Sequence, residues 1–236
     1  MLPNYSSIVR ISIIIPTLNE AREIIETLQP LQPLRTKGHE VIIVDGGSSD
    51  QTVSLARPLV DYILVTQQSR GAQMNAGAKV AKGKLLLFLH ADSRLPSDFE
   101  SAICTGFSIS QRKWGYFNVR LSGPSIWFRL IEWSMNRRSR LTGIATGDQA
   151  LFMQRGVFET AGGFPEIPLM EDVELSRRLK RFSWPLCLGL SVVSSSRYWE
   201  KRGIVRTILL MWALRLAYFS GVKPERLVQI YYRTKA

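Results

Sequence analysis

The chain is poor in the features that mark several protein classes. It has two cysteines in 236 residues, Cys104 and Cys187, far apart and without neighbouring cysteine or histidine partners. That excludes a disulfide framework and a zinc cluster, fits a reducing compartment, and leaves both thiols as packing residues. No Pro-, Ser- or Gly-rich linker and no repeat interrupts the chain. Long apolar runs are missing too. The longest, residues 204–222, is broken by Arg206 and Arg215, whereas a bilayer span needs about 20 predominantly apolar residues. Near Met1 no basic segment precedes an apolar core, and the run at 11–15 is too short to be one, so the expected location is the cytoplasm. After that run comes Pro16-Thr17-Leu18-Asn19-Glu20, which lacks the spaced glycines of a dinucleotide-binding turn, and the phosphate loop of ATPases is absent as well.

What is present is an ordinary globular composition, 45% hydrophobic and 21% charged. A chain of this length buries roughly 70–75% of its unfolded surface, enough for one sizeable core. Residues 1–236 are therefore expected to form a single domain, with a nucleotide-binding half (10–92), an acceptor half (93–200) and a C-terminal helical segment (201–236). The excess of 31 Lys and Arg over 19 Asp and Glu, +12 in all, favours anionic partners without choosing among them.

Short continuous apolar runs at 11–15, 41–44, 62–65 and 85–89 read as strands covered on both faces. Helical spacing fills the gaps between them. Thr17 and Glu20 have the form of a capping box before Ile24, Ile25, Leu28 and Leu31; a second helix follows Ser48-Ser49-Asp50, and a third runs from Gly71 to Gly83. Alternating strands and helices predict an α/β fold with a mostly parallel, right-handed sheet flanked by helices. Beyond residue 92 the alternation decays: 99–109 reads as a helix, 114–121 as extended, and 124–140 as an aromatic- and arginine-rich stretch.

Four strand or helix ends carry polar residues that bear on chemistry. Asp45 closes the second strand before Gly46-Gly47, as a ribose or base acceptor or as a helix cap. Arg70 opens a helix of small residues, where it can hold a phosphate or simply lie in solvent. Asp92 follows the apolar run 85–89 and is placed to anchor a hard divalent cation; His90 lies on the same face, either as a second ligand or as a hydrogen-bonded histidine at the sheet end, the commoner role. Glu171-Asp172 precede a helical pattern, as a general base or as acids favoured by the helix dipole.

Together these segments resemble the family 2 glycosyltransferases of the GT-A fold, over about residues 10–200. The resemblance implies a Rossmann-like sheet, a nucleoside-diphosphate sugar donor, an acceptor hydroxyl, a divalent metal (Mn or Mg) and an inverting transfer. It places Pro16, Thr17, Asn19 and Glu20 at the nucleotide pocket, Asp45 on base or ribose, Arg70 on the nucleotide, Asp92 at the last acid of the Asp-x-Asp metal motif, and Asp172 as the base beside Glu171. Two departures stand out. Gly46 replaces a common second aspartate, and His90 replaces the first metal-site acid, which favours Mn²⁺ because imidazole suits transition metals. With His90-Ala91-Asp92, the segments Thr146-Gly147-Asp148-Gln149 and Ser196-Arg197-Tyr198-Trp199 resemble a small bacterial subgroup; the second is also similar to the Arg-Trp element of processive synthases, so Asp148, Arg197 and Trp199 join the expected binding residues.

The acceptor is left as a small or lipid-linked molecule. In residues 204–222, Trp212, Tyr218 and Phe219 allow contact with the inner face of the cell membrane, but Arg206 and Arg215 fall on opposite sides of a helix, which favours docking on the core. A pyrophosphorylase would carry a Gly-rich basic loop after the first strand, in place of residues 17–22. The positive charge also admits a non-catalytic nucleotide-sugar or nucleic-acid binding module as the alternative, but a nucleic-acid partner is not expected, since the basic residues accompany no recognised binding motif.

Overall fold

The structure, a computed structural model, describes residues 9–233. Its strands are β1 (Ile11–Thr17), β2 (Glu40–Asp45), β3 (Tyr62–Val65), β4 (Leu85–Phe88), β5 (Ser93–Arg94), β6 (Trp114–Leu121), β7 (Phe152–Gln154) and β8 (Leu186–Ser194). The helices are α1 (Ile24–Leu28), α2 (Gln32–Thr36), α3 (Thr52–Ala56), α4 (Arg70–Val80), α5 (Phe99–Ile109), α6 (Ile126–Thr142), α7 (Arg155–Thr160), α8 (Glu171–Leu179), α9 (Arg197–Arg202), α10 (Ile204–Phe219) and α11 (Pro224–Arg233).

All eight strands join one sheet in the order β3-β2-β1-β4-β7-β6-β8-β5. The first four are parallel neighbours, β7 runs antiparallel between β4 and β6, and β8 is parallel to β6. Two reversals restore the original direction, so β6 and β8 end on the same rim as β1 to β4. That rim is where open α/β sheets bind ligands.

Strand alternation divides the core into two layers. Ile11, Ile13, Ile15, Val41, Ile43 and Leu87 face α1, α2 and α5 through Leu28, Leu34 and Ile103. Ile14, Ile42, Val44, Leu86 and Phe88 face α4, α7 and α8 through Met74, Phe158, Leu175 and Leu179. Gly77 permits the close approach of α4, because a Cβ there would meet Ile14 Cγ2 at 2.5 Å.

The sheet is the expected α/β, mostly parallel and flanked by helices. The capping box expected at Thr17 and Glu20 is not formed. Thr17 is the last residue of β1, Asn19 takes the left-handed φ of 55°, and α1 begins only at Ile24. Competing bonds explain the difference: Asn19 N–H donates to Ser48 Oγ at 2.8 Å and Asn19 Oδ1 accepts from Ser49 N–H at 2.9 Å, so this segment is tied to the loop after β2 instead of opening a helix. At the other end α10 docks through Leu214, which packs with Met170, Val173 and Leu227. Among the described residues no helix is long and apolar enough to cross a membrane.

Candidate active site

Three separate stretches meet at the rim beyond β4. His90 and Asp92 emerge from β4, Gly147 and Asp148 form a tight turn ahead of β7, and Glu171 and Asp172 open α8. Pro16, His90, Gly147, Glu171 and Asp172 line one hollow, floored by Phe88 and Leu151. Arg70, at the start of α4, lies within electrostatic reach of Glu171, Asp148 and Asp172. Carboxylates remote in sequence are thus collected around one guanidinium.

Asp172 is oriented by two backbone donors. Gly147 N–H reaches Oδ2 at 2.8 Å and Val173 N–H reaches Oδ1 at 2.7 Å, leaving a lone pair on each oxygen for another proton. The first turn of α8 also holds Glu171 and Glu174, where negative charge is favoured by the exposed N–H groups. Glu171 is buried, and burial together with the neighbouring Asp172 charge raises its pKa, against the opposing pull of Arg70.

His90 Nδ1 lies 3.2 Å from Asp148 Oδ1. Burial and the nearby Arg70 charge both pull the His90 pKa down, yet the hydrogen bond and charge of Asp148 carry it above its ordinary value. The reverse holds for Asp148: burial would raise it, but His90, Arg70 and Arg138 bring it below the usual carboxylate range. On its other side the His90 ring lies against Gly147, where an added methyl would overlap it. Nδ1 of His90 is thus engaged by Asp148.

Glu20 stands next to this group. Burial and the charge of Asp92 raise its pKa, while Arg197, 3.6 Å away, pulls it down. Arg197 also pairs with Glu23 at 3.2 Å, so α9 is clamped to the loop after β1. Trp199 does not come to this cluster; it packs with Leu121, Phe128 and Ile131 against α6. Asp45 is turned into its own loop. Its Oδ2 accepts from Gly47 N–H at 2.9 Å and Ser48 N–H at 2.7 Å, and its Oδ1 accepts from Thr17 Oγ1 at 3.0 Å and from Ser48 Oγ at 2.5 Å. The carboxylate, 1% exposed, is fully committed within the protein.

The fit of a divalent cation can be judged from the donor set. Among the described residues no group of three or more His, Cys, Asp and Glu side chains could hold a metal ion. Among the described residues Asp92 accepts only a long 3.4 Å bond from Ser93 Oγ, so its carboxylate keeps lone pairs available beside Glu20. One available carboxylate suits an ion that takes its other ligands from diphosphate and water, as Mg²⁺ sites commonly do, and does not suit a preformed protein cage.

Three contributors were not foreseen from sequence. Gly147 orients Asp172 and seats His90. Gln149 is buried beneath that turn, where its Oε1 accepts from Ser139 Oγ at 2.7 Å and from Thr146 N–H at 3.2 Å. Arg138 of α6 lies near Asp172 and Asp148, with its Nε buried and without a partner among the described residues. Only the polar run 146–149 offered a signal; Arg138 was one arginine among several in its helix.

Residues 12–104 match the model of Glycosyl transferase family 2. A Mycobacterium bovis PGL/p-HBAD biosynthesis glycosyltransferase is 37% identical over 91 residues, 36% of this chain and 36% of that protein, so the match spans about a third of the relative's length. Among solved structures, S. aureus TarS 1-349 in complex with UDP-GlcNAc superposes with a TM-score of 0.64 at 18% identity, over 79% of this chain and 58% of TarS. The mannosyltransferase PcManGT from Pyrobaculum calidifontis, in complex with GDP-Man and Mn²⁺, gives 0.60 at 21% identity, over 88% and 61%. Residues 12–104 thus resemble Glycosyl transferase family 2, and the chain shares the α/β fold of these solved structures.

Proposed function

We propose that the protein is a glycosyltransferase that moves a sugar from a nucleoside-diphosphate sugar to an acceptor hydroxyl with inversion. The observation that carries this reading is Asp172, held by Gly147 and Val173 N–H groups in the same hollow as His90 and beside Arg70. Family 2 similarity over residues 12–104, and a fold shared with proteins solved with UDP-GlcNAc and GDP-Man, support the donor class.

In this scheme Asp172 takes the proton of the acceptor hydroxyl, and the oxygen attacks the anomeric carbon from the face opposite the diphosphate. The bond from that carbon to the diphosphate oxygen breaks, and its electron pair leaves with the nucleoside diphosphate. Arg70 is positioned to offset the charge developing on the leaving group, and the orphaned Nε of Arg138 offers a further donor to a bound ligand. Asp92 would hold Mn²⁺ or Mg²⁺, which when bound neutralises diphosphate charge. The His90–Asp148 pair favours the protonated imidazole at the rim where the family places a metal-site acid.

A thermal-shift panel of UDP, GDP and their sugars, with and without Mn²⁺, tests the reading. A nucleoside diphosphate should raise Tm, by more with Mn²⁺, because selective binding stabilises the folded state. No shift with any of them would overturn it, and an Asp92→Asn protein whose Mn²⁺ dependence is intact would remove the metal assignment.

A further inference from the structure

Large apolar side chains left in solvent are concentrated on two neighbouring helices. On α6 they are Ile126, Trp127, Leu130, Trp133 and Leu141; on α10 they are Leu209, Trp212, Leu216 and Phe219. At 3.6 residues per turn each set forms a single stripe, about 120° wide on α6 and about 80° on α10. Phe128, Ile131 and Met135 of α6 share one apolar cluster with Ile204 and Ile208 of α10, so the two helices are neighbours. Exposed apolar surface concentrated in this way marks an interaction site.

Charge identifies what covers it. Arg206 and Arg215 lie one on each edge of the α10 stripe, which resolves the uneven polar face read from sequence. Neither has an acid partner among the described residues. Arg137 sits over the Trp133 ring at 5.5 Å. At the amino end of α6, Ile126 and Arg129 line a groove of about 570 Å³ with Arg94 and Arg120, and Arg120 is exposed and unpaired among the described residues. Residues 201–224 contain no acid, and the one acid of α6, Glu132, is buried against Arg129 and Leu121 N–H. Arg94 and Arg129 are paired with Glu26 and Glu132, which leaves Arg120, Arg206 and Arg215 without acid partners among the described residues. Tryptophan and phenylalanine flanked by such arginines suit the boundary between acyl chains and anionic headgroups, where guanidiniums reach outward to phosphate.

We propose that the outward faces of α6 and α10 dock the protein on an anionic lipid bilayer, with the Arg94–Arg120–Arg129 groove taking a headgroup phosphate. The protein lies on the surface without crossing it. Both the groove and the proposed active site open at the ends of strands on one rim of the sheet, so the docked face brings the acceptor side next to the lipid.

Flotation of the full chain with phosphatidylcholine vesicles, and with vesicles containing about one-third phosphatidylglycerol, tests this. The wild-type protein should float with the anionic vesicles at least about tenfold better than with the neutral ones, less so in high salt. Trp127→Ser with Trp133→Ser, Trp212→Ser with Leu216→Ser, and Arg120→Ser with Arg137→Ser should each reduce flotation by about tenfold or more while Tm is retained. Three results would overturn the proposal: equal partitioning into both vesicle types, binding indifferent to all three pairs of substitutions, or a dimer in light scattering that the tryptophan substitutions dissociate without any vesicle binding. Inorganic phosphate that protects Arg120 from a guanidine-modifying reagent as well as the anionic vesicles do would assign the groove to free phosphate and remove the headgroup from the proposal.

Discussion

Gly147 N–H donates to Asp172 Oδ2 at 2.8 Å, joining the turn before β7 to the first residues of α8. This bond fixes where the carboxylate points. Asp172→Asn should keep Tm near wild type and lower kcat by about 10²–10⁴, the usual worth of a positioned base. Gly147→Ala should also lower kcat, because the added methyl displaces His90, and should cost about 1–3 kcal/mol of stability in urea unfolding, as overpacking does.

The pairing of His90 with Asp148 is testable by NMR titration, and with only two histidines in the chain the resonances are easily assigned. In Asp148→Asn the His90 midpoint should fall, since burial then acts with much less opposition. The raised pKa means that the pair stabilises the wild type fully below the ordinary histidine value of about 6.5, and that this contribution fades as pH climbs through the raised value. The difference in Tm between the two proteins should shrink accordingly toward alkaline pH.

Glu171 follows the same sign with a different outcome. Its carboxyl binds a proton more tightly folded than unfolded, so its contribution is best below about 4.5 and turns unfavourable as pH rises through the raised pKa. Glu171→Gln should therefore melt close to wild type in acid and progressively above it toward pH 8, read from Tm across the series.

Asp45→Ala should destabilise on the order of 3 kcal/mol, since it strands buried donors from Thr17, Gly47 and Ser48. Urea unfolding checks the loss. Calorimetry with UDP and GDP at a temperature where the variant stays folded separates it from any loss of nucleotide contact.

Much of the sheet was legible because β1, β2 and β4 are buried on both faces and read as unbroken apolar runs, whereas β3, at the sheet edge, is only partly buried despite the same pattern. Residues 99–109 and 114–121 were recognisable as helix and strand for the same local reason. Thr17 to Glu20 misled because a side chain suited to capping a helix was spent on Asp45, a partner brought in by β2. At the site, the carboxylates were visible as polar exits from apolar runs. Gly147 and Arg138 were not, because their importance lies in which carboxylates the fold places beside them. Asp45 and Trp199 also have structural work that residue type did not reveal: one organises a loop and the other braces a helix.

Gln73 spans the ends of two strands, donating from Nε2 to the carbonyls of Thr17 at 3.0 Å and Val44 at 2.8 Å. An ideal Cβ at Gly46 would meet that amide at 3.2 Å. Positions 46 and 73 are therefore matched, and an aspartate at 46 would press the Gln73 amide by a few tenths of an ångström. Because that amide ties together two strand ends, the acid missing at 46 is a property of the neighbourhood as well as of a single codon.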